Sequence, residues 1–221
     1  MSDAPTCWLT RAIITPQTLF AQGIKDSYTW HQLVWQAFPG RDGLPRDFLT
    51  RLDDKTEGTQ LLVVSHTEPV RPNWLSETDS WESKPIPPAY FQARRYRIQL
   101  RANPTHKPVK DQQGNYIADA KKRKRRAITG EAELAAWLKR KGESGGFRLV
   151  DSVPLETWSE VQRFEKRPSN GSHHRGVHGV VDFSGVIEIT DPVLFLNVTF
   201  AKGIGSAKAF GLGLLVLAPI H

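Results

Sequence analysis

The chain has 221 residues, 39% hydrophobic and 24% charged, with 17 Gly and 15 Pro, which suits one large or two small globular domains and excludes a disordered or fibrous chain. Its single cysteine, Cys7, excludes an internal disulfide and a multi-cysteine zinc site, and residues 212–220, the longest apolar stretch, reach about half the ~18 residues of a membrane helix, so a cytoplasmic protein with no membrane partner is expected. The excess of 30 Lys+Arg over 23 Asp+Glu is local, because residues 94–126 hold 12 against 2 and the rest of the chain 18 against 21. A field of that kind attracts a polyanion through phosphate neutralisation and counterion release, although a six-residue basic block alone fits a solvated charge run equally well.

Residues 1–5 lack the basic and apolar regions of a signal peptide, so export is not expected. Residues 8–14 read as a strand. After a loop with Pro16 and Gly23, a helix is predicted over residues 27–38, with Ser27 as its N-cap and Pro39-Gly40 as its stop. Trp30, Leu33, Val34, Ala37 and Phe38 form its apolar stripe, which must face a core. Residues 46–52 and 59–65 read as a hairpin around a turn at 53–58, completing half of a split β-α-β unit. Residues 68–88, with Trp74 and Trp81 as anchors, form a proline-rich connection that closes a first domain of residues 1–88.

The second domain, residues 89–221, opens with a strand at 94–102 that sets Tyr96, Ile98 and Leu100 on one face and Arg95, Arg97, Gln99 and Arg101 on the other. Residues 104–127 carry no periodicity and end in Lys121, Lys122, Arg123, Lys124, Arg125 and Arg126, as a mobile loop or ribbon would. A helix at 130–141 is predicted with Thr129 as cap and Gly142 as stop. Strands follow at 146–153 and 177–189, with a polar loop at 166–176 between them. A helix opened by Asp191-Pro192 runs to Lys202, and 206–218 form a glycine-interrupted strand. The expected fold class is α+β, with two tandem ferredoxin-like (RRM-like) domains.

On the predicted helix, Tyr28, His31 and Trp35 share a face beside the apolar stripe. A histidine there can exchange a proton at neutral pH and a tyrosine one turn away can orient it or bond a phosphate oxygen, while the same face also fits a half-exposed histidine beside core aromatics. No D-x-D, H-x-x-x-H or H-E-x-x-H spacing offers a metal scaffold, so no metal or other cofactor is expected. Cys7 reads as a buried structural thiol, and His66, His106 and His178 as structural residues. His173, His174 and Arg175 suit either phosphate contact or a solvated loop. Residues 203–213 read G-h-G-x₅-G-h-G, where h is apolar. With Lys202 and Lys208 beside it, this string suits close backbone approach to a phosphate or a packing corner, and it is no dinucleotide fingerprint, because a strand follows it.

Tyr28-Thr29-Trp30-His31, Val34-Trp35-Gln36-Ala37-Phe38-Pro39, Arg46-Asp47-Phe48-Leu49, Arg101-Ala102-Asn103-Pro104, Ala135-Ala136-Trp137-Leu138 and the glycine string, in this order between Trp8 and Pro219, resemble the CasE family. This is the precursor-RNA endoribonuclease subunit of type I-E CRISPR Cascade complexes, within the repeat-associated mysterious protein superfamily. The resemblance implies two ferredoxin-like domains, metal-free cleavage of repeat RNA at the base of a stem-loop, and a crRNA that stays bound beside other Cascade subunits. It also implies that His31 is the catalytic histidine and Tyr28 its partner. The family's basic hairpin corresponds here to residues 172–178, where Arg175 is the expected phosphate cation because a guanidinium forks onto phosphate oxygens. Arg101, Lys121, Lys122, Arg123, Lys124, Arg125, Arg126, His174, Lys202 and Lys208 are the expected RNA contacts.

Overall fold

Alternation in the first segment produces strand β1 (Trp8–Ile14), which buries Thr10, Ala12 and Ile14 on one face. The computed structural model describes residues 7–24, 26–41, 43–110, 113–119, 121, 123–166 and 174–220, with the side chains of residues 163–166, 174 and 175 outside that description. A short helix, α1 (Pro16–Ala21), follows where only a loop was predicted, because Pro16 occupies the first helical turn, where no amide is needed. Helix α2 (Ser27–Trp35) is capped by Asp26 instead of Ser27: the aspartate accepts from the Thr29 amide at 2.9 Å. It ends before the predicted Phe38, because the amides of Gln36, Ala37 and Phe38 reach back only three residues, to Leu33, Val34 and Trp35.

Strands β2 (Phe48–Lys55) and β3 (Gly58–Ser65) form the expected hairpin, but Lys55 pairs with Gly58, so the turn tightens to Thr56-Glu57 and Asp53 and Asp54 fall within the strand. The proline-rich connection yields a fourth strand, β4 (Glu82–Pro85), antiparallel to β1, which gives the ferredoxin-like order β2-β3-β1-β4. No helix lies between β3 and β4. Trp74 and Leu75 fill that layer instead and join Val34, Phe38 and Phe48 in a core, with the Trp74 indole donating to the Leu33 carbonyl at 3.1 Å. Asp79 ties this segment down by accepting from the Thr15 and Ser76 amides, each at 2.8 Å.

A 3₁₀ turn (Pro88–Phe91) leads to β5 (Arg95–Ala102), whose Tyr96, Ile98 and Leu100 are buried as the alternation required. Strands β6 (Thr105–His106) and β7 (Arg126–Ala127) pair as a short ribbon that returns the basic run to the body. Helix α3 (Glu131–Glu143) is capped by the Gly130 backbone, not by Thr129. It runs through Gly142, where a Cβ would stand 2.4 Å from the Phe147 carbonyl oxygen, so this glycine serves helix–strand contact and not helix termination.

Strand β8 (Phe147–Leu149) is shorter than predicted. The long hairpin β9 (Glu156–Lys166) and β10 (His174–Ile189) was foreseen only in its second arm, because β9 exposes Trp158 and Val161 and carries no buried stripe. Helix α4 (Pro192–Leu194) begins at the Asp191 cap and continues as a π-helix over Phe195–Phe200. Residues 206–213 do not form the predicted strand, since Ala207, Gly211 and Gly213 have φ of 57°, 80° and 92°. They loop around a 3₁₀ turn (Lys208–Phe210) before β11 (Leu215–Ile220). The second sheet runs β11-β5-β10-β8, with β9 on β10, again the ferredoxin-like order.

Cys7, Leu49 and Val64 of the first sheet belong to the same buried cluster as Leu100, Trp137, Phe183 and Leu214 of the second. Arg101 crosses the same seam. Its guanidinium grips Asp182 at 2.9–3.1 Å and donates to the Leu52 carbonyl at 3.0 Å, while Arg51 lies 3.9 Å from Asp182. Among the described residues no helix is long and apolar enough to cross a membrane.

Candidate active site

Helix α2 packs against the 3₁₀ turn Lys208–Phe210 and against β9, so one face of the first domain meets the glycine loop and hairpin of the second. His31 lies at this seam. Its Nε2 accepts a hydrogen bond from the Trp35 indole Nε1 at 3.1 Å, and its ring is 6.2 Å from that of Phe48. Trp35 meets the buried Phe48 edge-on at 5.0 Å, and Phe48 stacks on Phe38 at 4.7 Å, so core aromatics hold the pair. Burial, and then the charge of Arg46, hold the His31 imidazole below the ordinary histidine range, which keeps it neutral at pH 7. Tyr28 stands one turn earlier, and Gln32 donates to its hydroxyl at 3.4 Å. Trp35, and not Tyr28, is the residue that orients the imidazole in the free protein.

Arg46 escaped the sequence reading as a site residue, although it begins the quoted R-D-F-L string. Its half-buried guanidinium lies 5.9 Å from the Phe48 ring, against which His31 also packs, and it has no carboxylate or hydrogen-bond partner among the described residues. Burial lowers its pKa. Burial, then the charges of Arg46, Lys141 and Lys202, lowers that of Lys208 as well. Four cations thus gather around the glycine loop without an acid among the described residues to balance them, a field that favours an anion. Lys141, in the last turn of α3, was not among the expected RNA contacts.

The glycine loop holds this arrangement by close backbone contact. The Ile204 amide donates to the Gly213 carbonyl at 2.9 Å and the Gly213 amide to the Arg101 carbonyl at 2.7 Å, while a Cβ on Gly203 would stand 2.7 Å from the Gly213 carbonyl oxygen. The string is therefore both a packing corner and a site of exposed backbone, since the two glycine pairs pack together and the residues between them face a cleft of about 480 Å³. Asn103, His106, Arg125, Lys141, Ser206 and Lys208 line it. His178, its ring 4.8 Å from Phe210 and its Nδ1 3.1 Å from Asn103 Nδ2, braces the loop. The buried Oδ1 of Asn103 has no partner among the described residues.

Of the other expected contacts, Lys121, Lys124, Arg125 and Arg126 are exposed, and Arg123 donates to the Ile117 carbonyl at 2.9 Å. Lys202 is exposed near Lys208. Arg101 stands apart: Asp182 lies directly opposite it across β5 and β10, and the resulting bidentate pair holds its guanidinium at the domain seam in the free protein. Arg95 is likewise committed. With Arg94 and Arg148 it encloses Glu188, which is only 4% exposed, and these guanidinium groups, Arg148 first, push its carboxyl down to about 2. Lys122 and the side chains of His174 and Arg175 lie outside the described residues. The Arg175 backbone pairs with Glu165, three residues before His178. Cys7 is buried, which raises its thiol pKa, and its Sγ lies 3.7 Å from His66 Nδ1. Among the described residues no three His, Cys, Asp or Glu side chains gather in a way that could hold a metal ion.

Residues 7–219 match the sequence model of the family described as CRISPR associated protein. The chain is 30% identical to the CRISPR-associated endoribonuclease Cse3 of Thermus thermophilus, over 96% of this chain and all of that one. It is 32% identical to the CRISPR system Cascade subunit CasE of Escherichia coli, over 89% and 94%. The structure of Thermus thermophilus Cse3 bound to an RNA representing a pre-cleavage complex matches with a TM-score of 0.69 at 30% identity, covering 97% of this chain and all of that one. Tandem ferredoxin-like sheets, a seam histidine and full-length similarity agree, and the chain belongs to the CRISPR-associated endoribonuclease family of Cse3 and CasE.

Proposed function

We propose that this protein is the endoribonuclease that binds repeat stem-loops of precursor CRISPR RNA, cuts at the stem base without a metal ion, and stays with the mature crRNA among the other subunits of a cytoplasmic Cascade complex. The observation that carries this reading is a half-buried histidine, His31, held by Trp35 and Phe48 at the seam of two RNA-binding-type domains, with cations nearby that no described acid compensates. RNA brings its own nucleophile. The 2′-oxygen attacks the adjacent phosphorus, the P–O5′ bond breaks, the 2′-hydroxyl loses its proton and the 5′-oxygen gains one, leaving a 2′,3′-cyclic phosphate and a 5′-hydroxyl. His31 exchanges the proton at one end of this displacement, and the Tyr28 hydroxyl orients His31 or the reacting 2′-hydroxyl by hydrogen bonding.

Arg175, together with Arg46 and Lys208, stabilises the charge that builds on the phosphoryl oxygens. Lys121, Lys122, Arg123, Lys124, Arg125 and Arg126, with His174 and Lys202, hold the backbone of the A-form stem, which proteins recognise by shape and phosphate contacts. A denaturing gel of a repeat hairpin incubated with the protein in EDTA tests the reading: one cut with a cyclic phosphate end is expected. An uncut band, or a strict need for Mg²⁺ or Mn²⁺, overturns it.

A further inference from the structure

The Trp35 indole N–H is a donor only, so the 3.1 Å bond to His31 Nε2 requires a lone pair on that nitrogen. The free imidazole therefore carries its proton on Nδ1. Protonating it to the imidazolium would set two N–H groups against each other, so the bond resists the cationic form as well as the other tautomer. The geometry is not incidental to a mobile side chain. Trp35 is one turn after His31 on α2, its ring meets His31 at 6.1 Å and 76°, and the buried Phe48 backs both rings.

We propose that Trp35 is a positioning residue for His31: its indole keeps the resting imidazole neutral in the Nδ1–H form, and RNA must take the indole's place at Nε2 before His31 exchanges a proton there. The inference rests on the proposed role of His31 in RNA cleavage. It adds a condition on when the histidine can act, since the free site is held with its proton-accepting nitrogen occupied. Tyr28 stands one turn before His31 on α2, and of the charged groups on the elements packed against it, Arg46 ahead of β2 is the one that acts on the ring. It acts through charge, whereas Trp35 supplies the hydrogen bond that selects between the two ring nitrogens.

The test uses ¹⁵N-histidine-labelled full-length protein and W35F, which keeps a ring against Phe48 and removes only the donor. In the wild type, the His31 Nε2 signal should be that of an unprotonated nitrogen, and the Trp35 indole proton should shift when a 2′-deoxy, uncleavable repeat hairpin binds. In W35F the Nε2–H tautomer should gain population. The limb of the single-turnover rate-against-pH profile that belongs to His31 should move to higher pH, by up to about one pH unit, because a bond to the neutral form has been removed. Hairpin affinity should stay within about threefold, because many phosphate contacts share it.

A protonated Nε2 in the wild type, or an unmoved limb in folded W35F, overturns the assignment. The wild-type spectrum decides the tautomer even if W35F fails to fold. H31A separates the two layers: if H31A cleaves like the wild type, the reading of His31 as catalyst fails, whereas an inactive H31A with an unchanged W35F removes only the role of Trp35.

Discussion

R46Q should make the protein a slower nuclease without making it a less stable one. Arg46 is half-buried beside Lys208, and both cations lack a carboxylate partner among the described residues, so beyond its 5.9 Å contact with the Phe48 ring the folded state gains little from the charge until an anion arrives. A hydrogen bond to a charged group contributes about 1.5–3 kcal/mol, and because Arg46 has no internal pair to break, that whole contribution is free for the transition state. At about 1.4 kcal/mol per factor of ten, the single-turnover cleavage rate at saturating protein should fall roughly 10- to 100-fold. Hairpin affinity should change by less than about fivefold, because many phosphate contacts share it.

The same substitution should be read along pH and temperature. Arg46 holds the His31 pKa down, so its removal should move the His31 limb of the rate profile to higher pH. Relief of repulsion at Lys208 should leave the melting temperature unchanged or raise it by about 1–3 °C. The assay is single-turnover cleavage of an end-labelled repeat hairpin across neutral and mildly alkaline pH, with thermal melts of the same preparations. A rate reduction smaller than about threefold, or an affinity reduction as large as that of the rate, would refute the placement of Arg46 against the reacting phosphate.

Neutralising Lys122, Arg123, Lys124 and Arg125 together should weaken repeat and unrelated hairpins alike and flatten the plot of log affinity against log salt, by up to roughly one unit for each phosphate that is no longer neutralised; titrations from low to moderate salt decide it, and an unchanged slope would remove the run from the RNA path. D182N should cost about 1–3 kcal/mol, or roughly 3–10 °C in melting temperature, because Arg101 is left with the Leu52 carbonyl and the more distant Glu160 carboxylate, 4.0 Å away. The pair is 28% and 26% exposed, which keeps the cost below that of a fully buried one, and calorimetry showing no shift would mean water replaces the aspartate freely.

The elements that could be read from sequence were those with a buried stripe or clear end signals, among them β1, the β2–β3 hairpin, β5, α3, the second arm of the long hairpin and the apolar face of α2. Strands β4 and β9 could not, because β4 is a short polar edge and β9 exposes its large apolar side chains, so neither shows a core-facing period. His31 and the glycine string were legible because a histidine off the core face and paired glycines are departures from a packing pattern. Arg46 was not, since a lone arginine in a loop differs from a solvated one only through the burial its neighbours impose. Arg101 shows the opposite case. Alternation assigned it to the polar face of its strand, but only the strand register reveals that Asp182 is waiting there.

The shared cluster beneath Leu49 and Val64, with Arg101 reaching from the second sheet to the Leu52 carbonyl, means that this molecule does not open like a book. Severing the chain near Pro88 would strip Cys7, Leu49, Val64 and the Arg101 guanidinium of partners, so the halves are expected to require co-expression, and a split enzyme would report reassembly instead of independent folding. It also limits how an RNA hairpin is admitted. Accommodation falls to the ribbon that carries the basic run and to β9, whose described side chains stay outside the common interior, while the histidine and the glycine loop stay fixed to each other.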